Sequence, residues 1–360
     1  MTIDSDSDVT ALDRMPASTQ SRRRRPEAPA VLRTAVPLLL AIVVLSVYSG
    51  AQNPVFMTSA NWQNILAQVC VLGILAAGQT FLIIGGQLDL SVGSLVSLVG
   101  VFAADRFTAG WSTLAVVACC LTGGVIVGLV WGALVAYLRV PPFVLTLGGL
   151  SLFASLALVI AGSRPIPVEG HLETLGFGTW FGVRLPAIVL VAAMVLLGLG
   201  LHMTRFGRNV YALGSAPRAA YLAGVPTRRI TVSLFVLNSV LTAAAGLIMT
   251  ARLAAGDPRA GAGLELQVVA VTVLGGAALA GGRGSMLGTF LGVVLFGVIS
   301  AALTFLQVPG AYQSLVTGGI LIFAVAVTAI ADLRTGRVPP DGPRLRRLAA
   351  ALRVGALLRR

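Results

Sequence analysis

The chain has 360 residues, of which 56% are hydrophobic and only 11% are charged, and its mean hydropathy is +0.91. About a quarter of the residues of a soluble domain are charged, so this composition excludes an ordinary soluble protein. All 26 basic residues are arginine, and the absence of lysine excludes a phosphate-loop lysine and a Schiff-base lysine. The net charge of +13 lies mostly in tails and loops, which favours a membrane protein over a nucleic-acid-binding one.

Ten apolar segments follow a polar N-terminal stretch, and most are long enough to cross the ~30 Å hydrocarbon core as a helix. They lie near 34–50, 64–84, 90–104, 112–138, 143–162, 185–204, 230–251, 264–281, 286–306 and 312–331. We therefore predict an all-α membrane protein with about ten transmembrane helices in one domain, 34–332. Residues 1–33 are predicted to be a disordered basic tail. Residues 333–360 are predicted to be a second basic tail, either disordered or lying as a helix on anionic lipid.

The distribution of arginine gives the predicted helices a direction. If the N-terminus is cytoplasmic, the cytoplasmic segments carry 21 arginines and the outer loops carry five. Positively charged residues are enriched in cytoplasmic loops, so this asymmetry predicts ten crossings with both termini in the cytoplasm. No extracellular domain is expected, because the longest outer loop covers only residues 163–184.

The segment between the second and third apolar stretches is rich in glycine and holds an acid. Its candidate residues are Gly85, Gly86, Asp89, Ser91, Gly93 and Ser94. An ionisable side chain near a membrane-embedded stretch is a functional candidate, because its burial is costly. Two interpretations stay open: Asp89 or Ser91 is the N-cap of the next helix, or Asp89 serves a pathway or a subunit contact.

The longest internal cytoplasmic segment, residues 205–229, is the second candidate site. Its candidate residues are Arg205, Gly207, Arg208, Gly214, Arg218, Ala219, Ala220 and Gly224. A positive-inside anchor needs only a few charges, whereas this segment has a helical pattern around residues 215–224 flanked by turns. We therefore predict that it is a docking element for a soluble partner.

No group of residues predicts an enzyme, a metal site or a bound cofactor. His171 and His202 are isolated, and the three cysteines lie in apolar stretches without metal-ligand or disulfide spacing. Glu265 and Asp332 lie at predicted helix ends, so no acid is expected deep in the membrane. Proton- or sodium-coupled carriers usually need such an acid, which disfavours a self-contained secondary transporter.

A second glycine-rich turn, residues 281–285, precedes a helix that has Gly288 and Gly292 at the G-x-x-x-G spacing of close helix packing. In a chain with 42 glycines this spacing arises easily by chance, so it is weak evidence for a contact. The turn is loosely similar to residues 85–94, which hints at an internal duplication.

Four motifs, in order along the chain, resemble those of the permease subunits of bacterial ABC importers for monosaccharides, the ribose, xylose, arabinose and autoinducer-2 group. They are GGQLDLSVGS at 85–94, VPPFVLTLG at 140–148, RFGRNVYALG at 205–214 and GSMLGT at 284–289. The resemblance covers about residues 35–332. Gln87 stands where the family commonly has isoleucine. Arg218 replaces the glutamate of the family's E-A-A-x-x-x-G motif, which Ala219, Ala220 and Gly224 otherwise match.

The resemblance implies the all-helical fold of the vitamin-B12-type importers in a bacterial inner membrane. Two permease subunits, identical or paralogous, would enclose a path, with ATP-binding cassette subunits inside and a substrate-binding protein outside. Residues 205–229 would couple to the ATPase, and residues 85–94 would form part of the path or a broken-helix turn. Membrane lipid is the other expected contact, and neither nucleic acid nor a cofactor is expected. A branched-chain amino acid permease of the same superfamily and a secondary transporter are the alternatives.

Overall fold

The computed structural model describes residues 30–309 and, beyond them, only positions 312, 315, 318, 319 and 322. The regular structure of this part consists of α-helices, one 3-10 helix (Pro54–Met57) and four two-residue strands. The first seven helices are α1 (Ala30–Gln52), α2 (Ser59–Gln68), α3 (Cys70–Ile84), α4 (Val92–Thr108), α5 (Thr113–Ala136), α6 (Pro142–Ala161) and α7 (Glu173–Phe177). The next six are α8 (Leu185–Met203), α9 (Arg205–Ser215), α10 (Pro217–Leu222), α11 (Thr227–Leu253), α12 (Leu264–Leu274) and α13 (Met286–Phe305).

The strands form two short antiparallel pairs in and around the segment 163–184, the longest of the predicted outer loops. β1 (Ile166–Pro167) pairs with β4 (Ala255–Gly256), and β2 (Thr179–Trp180) pairs with β3 (Val183–Arg184). The first pair ties the segment after α6 to the end of α11, and the second closes a small hairpin before α8.

Six helices of the described part are long and apolar enough to cross a bilayer, namely α1, α5, α6, α8, α11 and α13. Helices α2 and α3 meet at a bend of 51° and together would make a seventh crossing. The coarse prediction of an all-α membrane protein is therefore confirmed. The tenth predicted segment, 312–331, and nearly all of both predicted tails lie outside the described residues, so the number of crossings and the domain boundaries stay predictions.

Two predicted apolar segments have other ends as helices than the hydropathy pattern indicated. Helix α12 ends at Leu274, whereas the predicted segment runs to 281. Gly276 has a φ of +91°, a left-handed conformation that a helix does not continue through. Helix α4 begins only at Val92, after a non-helical stretch, and has 17 residues.

Helix α11 lies at the centre of the fold and packs against α3, α4 and α5. Its contact with α5 is lined by Gly124, Gly128 and Gly132, four residues apart on one face of α5. A Cβ on Gly132 would lie 2.7 Å from the Cα of Val232, and one on Gly128 would lie 2.8 Å from the carbonyl oxygen of Phe235. The two backbones therefore approach as closely as only glycine allows.

Two parts of the chain repeat one pattern of a helix, a non-helical stretch and a second helix. In the first, α3 is followed by residues 85–91 and α4; in the second, α11 is followed by residues 254–263 and α12. The second helix of each part packs against the first helix of the other part. The structural counterpart of the turn at 85–91 is thus the stretch at 254–263, whereas the hint of duplication from the sequence pointed to residues 281–285.

The glycine contact between α5 and α11 predicts opposite outcomes for two neighbouring positions. Gly128→Ala should lower the free energy of unfolding by about 1–3 kcal/mol, because the added methyl would overlap the α11 backbone. Gly123→Ala is the matched control, since a Cβ there meets no atom within 4 Å, and it should be neutral or slightly stabilising. Thermal unfolding of the detergent-solubilised protein measures both. Equal midpoints for the two variants would contradict the contact.

Candidate functional site

The first candidate segment begins where α3 ends in a glycine C-cap. The N–H of Gly86 donates to the carbonyl of Ile83 at 2.9 Å, and the N–H of Gln87 donates to the carbonyl of Leu82 at 2.8 Å. Gly86 has a φ of +75°, as the left-handed residue of this capping motif requires. The chain leaves α3 sharply here, and residues 87–91 run as non-helical backbone to the start of α4.

Asp89 lies in this stretch, is 1% exposed, and has both carboxylate oxygens hydrogen-bonded. Its Oδ1 accepts from the backbone N–H of Ser91 at 2.8 Å and from the Ser91 hydroxyl at 2.6 Å. Its Oδ2 accepts from the Nδ2 of Asn238 on α11 at 3.0 Å. The indole Nε1 of Trp131 on α5 donates to the Ser91 hydroxyl at 3.2 Å. This Asp89 network, formed by Asp89, Ser91, Trp131 and Asn238, joins the non-helical stretch to two helices.

The geometry decides how the start of α4 is capped. Ser91 occupies the N-cap position, but its side chain makes no cap hydrogen bond, because its hydroxyl donates to Asp89 instead. Asp89 lies two residues before the cap and bonds the N–H at i+2, which is the arrangement of an Asx turn. Of the two residues expected at the N-cap, Ser91 therefore occupies that position, without a side-chain cap hydrogen bond, and Asp89 lies outside it.

Asp89 also lies deeper inside the helical fold than the sequence indicated. Its partner Asn238 lies eleven residues after Thr227 and fifteen before Leu253, the ends of α11. At about 1.5 Å per residue, Asn238 is roughly 16 Å from one end of that helix and about 22 Å from the other. The expectation that no acid lies deep in the membrane-spanning part is therefore wrong, because the backbone turns back into the fold after Gly86.

The N-termini of α4 and α12 meet beside this network. Gly93, in the first turn of α4, packs so closely on the carbonyl of Gly261 and on Glu265 that a Cβ would overlap both. The N–H of Gly261 donates to the hydroxyl of Ser97 at 2.8 Å. The hydroxyl of Ser94 donates to the Ser91 carbonyl at 3.0 Å and stays within its own turn. The interior therefore holds two interrupted helices that start side by side.

The second candidate segment, residues 205–229, contains two helices. Helix α9 was not predicted, and the predicted helix around 215–224 is the shorter α10. The hydroxyl of Thr204 caps α9 by accepting from the N–H of Gly207 at 3.2 Å. Val210 and Leu213 are buried, and Phe206 packs against the core. Thr204 followed by apolar residues at 206, 210 and 213 was the sequence signal for this helix.

Gly214, at the end of α9, packs against both glycine-rich turns. A Cβ there would overlap the carbonyl oxygen of Ile84 and would lie 2.6 Å from the N of Gly282. The N–H of Gly282 donates to that same Ile84 carbonyl at 2.8 Å. The Tyr211 hydroxyl donates to the carbonyl of Gly284 at 2.8 Å, and burial raises the pKa of Tyr211 to about 12. We call this contact of residues 84–86, 211–214 and 281–284 the glycine junction.

The candidate residues thus divide into four groups. Gly85, Gly86 and Gly214 lie at or beside the glycine junction, and Asp89 and Ser91 lie in the Asp89 network. Gly93 and Ser94 begin α4. The remaining residues, Arg205, Gly207, Arg208, Arg218, Ala219, Ala220 and Gly224, belong to α9, α10 and the turn after them. Within the described part of the chain, no side-chain hydrogen bond joins this last group to residues 85–94. Sequence reasoning missed Asn238 and Trp131, which supply the remote partners of the network.

The Asp89 network predicts that exchanging the side chains of Asp89 and Asn238 restores stability that Asn238→Asp alone removes. Asn238→Asp alone would place two carboxylates against each other and remove the amide donor, which should cost about 2–3 kcal/mol of unfolding free energy. Adding Asp89→Asn restores one carboxylate and one amide, because the new amide at position 89 can still accept from Ser91 while donating to the new carboxylate at position 238. The double variant should therefore unfold at a higher temperature than the single Asn238→Asp variant. A double variant no more stable than the single one would contradict the pairing.

Comparison with known proteins finds a matching family model and several similar permeases. The family model described as "Branched-chain amino acid transport system / permease component" matches residues 61–325. The ribose import permease protein of Bacillus subtilis (strain 168) is 36% identical over 309 residues, covering 85% of this chain and 96% of the relative. The L-arabinose ABC transporter permease protein of Azospirillum brasilense is 35% identical, covering 80% of this chain and 85% of the relative.

A third relative, the xylose transport system permease protein of Haemophilus influenzae, is 32% identical, covering 82% of this chain and 95% of the relative. No solved structure is significantly similar to the chain. The family match spans more than half of the chain, and the relatives are matched over most of their length. The chain therefore belongs to this family of transport-system permease components.

Proposed function

We propose that this chain is the membrane permease subunit of an ATP-driven importer for a sugar or a sugar-like small solute. The observation that carries the proposal is the identity of 32–36% with ribose, arabinose and xylose permeases over most of their length. The six or seven apolar helices agree with a subunit that forms a path through the membrane. The residues DLSVGS at 89–94 support sugars over branched-chain amino acids.

The chain is a transport subunit and not an enzyme. It has no lysine, so it cannot form the lysine-containing phosphate loop of an ATPase. ATP hydrolysis then belongs to ATP-binding cassette subunits, and capture of the solute belongs to a separate extracytoplasmic binding protein. Its place is the inner membrane of a bacterium, which it crosses several times.

The finer architecture is part of the same proposal. Ten crossings with both termini in the cytoplasm are supported by the arginine asymmetry of 21 to five. Two interrupted helices that begin side by side are typical of transporters built from inverted repeats. The proposed fold is that of the vitamin-B12-type importers. A dimer with a second copy or a paralogue is part of the proposal, as the resemblance to importer permeases implies.

Coupling between the ATPase and the path is proposed to run through the glycine junction. Helix α10 and the following turn expose Arg218, Ala219 and Gly224 for contact with a cytoplasmic partner. Helix α9 connects this surface to the junction, where Gly214 touches the end of α3. Three residues after Gly86 the chain reaches Asp89, so a shift of α9 would act directly on the stretch that holds the Asp89 network. Two discrete arrangements of these elements would give the inward- and outward-open states.

The depth of Asp89 is the observation that favours the alternative of an ion-coupled secondary transporter. Against that alternative, three donors already occupy the two carboxylate oxygens of Asp89. A carboxylate bonded in this way serves to fix the backbone, and a cation there would compete with the donors that it already has.

Uptake measurements in proteoliposomes test the proposed function. The chain reconstituted with its ATPase and binding protein should accumulate ribose, arabinose or xylose only when ATP is supplied inside, because this chain alone has no energy source. Leucine is the control solute for the amino acid alternative, and a proton or sodium gradient without ATP is the control for the secondary transporter. Sugar accumulation by the purified chain alone, driven by a gradient, would overturn the proposal.

A further inference from the structure

An apolar groove lies on the surface of the fold between α8 and α13. Its volume is about 390 Å³, within the range of sites for small ligands. Its walls include Val191, Val195, Met203, Leu287 and Phe290, and His202 lies at one end. The backbone N–H of Met286 donates to the Nε2 of His202 at 3.5 Å. This bond connects α13 to α8 at that end of the groove.

The groove is positioned to hold hydrocarbon. Both of its helices are among those long and apolar enough to cross a bilayer. Val195 is 54% exposed and Leu287 is 52% exposed, so the groove opens outward along the helices. From Val191 to Met203 it follows α8 for about 18 Å at 1.5 Å per residue. One leaflet contributes roughly 15 Å of the hydrocarbon core, so the length suits one acyl chain.

The end of the groove at Met203 is positively charged. Arg205 and Arg208 are exposed in the first turn of α9, and the Nη1 of Arg208 donates to the carbonyl of Met203 at 3.5 Å. The N-terminus of α9 adds its partial positive charge at the same place. No Asp or Glu occurs in the sequence between Glu173 and Asp257, so this stretch of the chain supplies no carboxylate of its own.

We propose that this groove binds an anionic phospholipid, with one acyl chain between α8 and α13 and the phosphate at Arg205 and Arg208. Apolar walls one leaflet long that end at two arginines complement a lipid with a negative headgroup. The site rests on the membrane embedding and orientation proposed above, which place Arg205 at the cytoplasmic surface. It would stabilise the joint between α8 and α9, and so the attachment of the segment 205–229.

Lipid retention measures the headgroup part of the proposal. The full chain is reconstituted in nanodiscs of phosphatidylglycerol and phosphatidylcholine with identical acyl chains, extracted in mild detergent, and its bound lipid is counted by native mass spectrometry. Phosphatidylglycerol should be retained about five-fold over phosphatidylcholine. Arg205→Gln combined with Arg208→Gln should abolish the preference, whereas Arg218→Gln, on α10, should leave it unchanged. A preference that survives the double substitution would overturn the assignment of the headgroup.

A matched pair of apolar substitutions measures the acyl-chain part. Val195→Trp fills the groove and should reduce retained lipid several-fold, whereas Leu196→Trp, at an exposed neighbour outside the lining, should not. Equal retention in both variants would overturn the proposal. So would a change of oligomeric state in Val195→Trp without loss of lipid, because a second copy would then cover the groove. These readouts need neither ATPase nor sugar, so their failure is distinct from failure of the proposed transport function.

Discussion

At the glycine junction the backbone of α9 touches the end of α3 so closely that no side chain fits between them. The Ile84 carbonyl accepts from the N–H of Gly282, and Gly214 packs onto that same carbonyl. One peptide group thus fixes three separate parts of the chain relative to one another. Helices α9 and α10, the stretch that leads to Asp89 and the turn before α13 all take their positions from it. Any residue larger than glycine at 214 would have to displace one of these elements.

The Asp89 network holds the other end of the same stretch. A carboxylate this deep is stable only because Ser91 and Asn238 supply three donors, and Trp131 completes the network through Ser91. Residues 87–91 are therefore anchored at the glycine junction on one side and on α5 and α11 on the other. A short, doubly anchored stretch between interrupted helices transmits displacement well, because it has little freedom to absorb it. This is the physical reason to place the coupling of the proposed importer here.

Local composition predicted much of the fold but little of its tertiary pairing. Apolar length predicted most of the long helices from α1 to α13, and the motif at 85–94 coincides with the break between α3 and α4, but the depth of Asp89 was not predicted. Asn238 was not found, because a single polar residue in an apolar helix gives no sign of its partner 149 positions away. The stripe at Gly124, Gly128 and Gly132 was missed for a related reason. In a glycine-rich chain the spacing carries little information until the facing helix is known.

The central claim is that the glycine junction couples the cytoplasmic helices to the stretch that holds Asp89. The most direct measurement is the number of sugar molecules transported per ATP hydrolysed by the complete importer in proteoliposomes, a ratio that does not depend on the folded fraction. Gly214→Ala should lower this ratio several-fold while ATP hydrolysis continues. Gly200→Ala, where a Cβ meets no atom within 4 Å, should leave it unchanged. An unchanged ratio in Gly214→Ala would contradict the account.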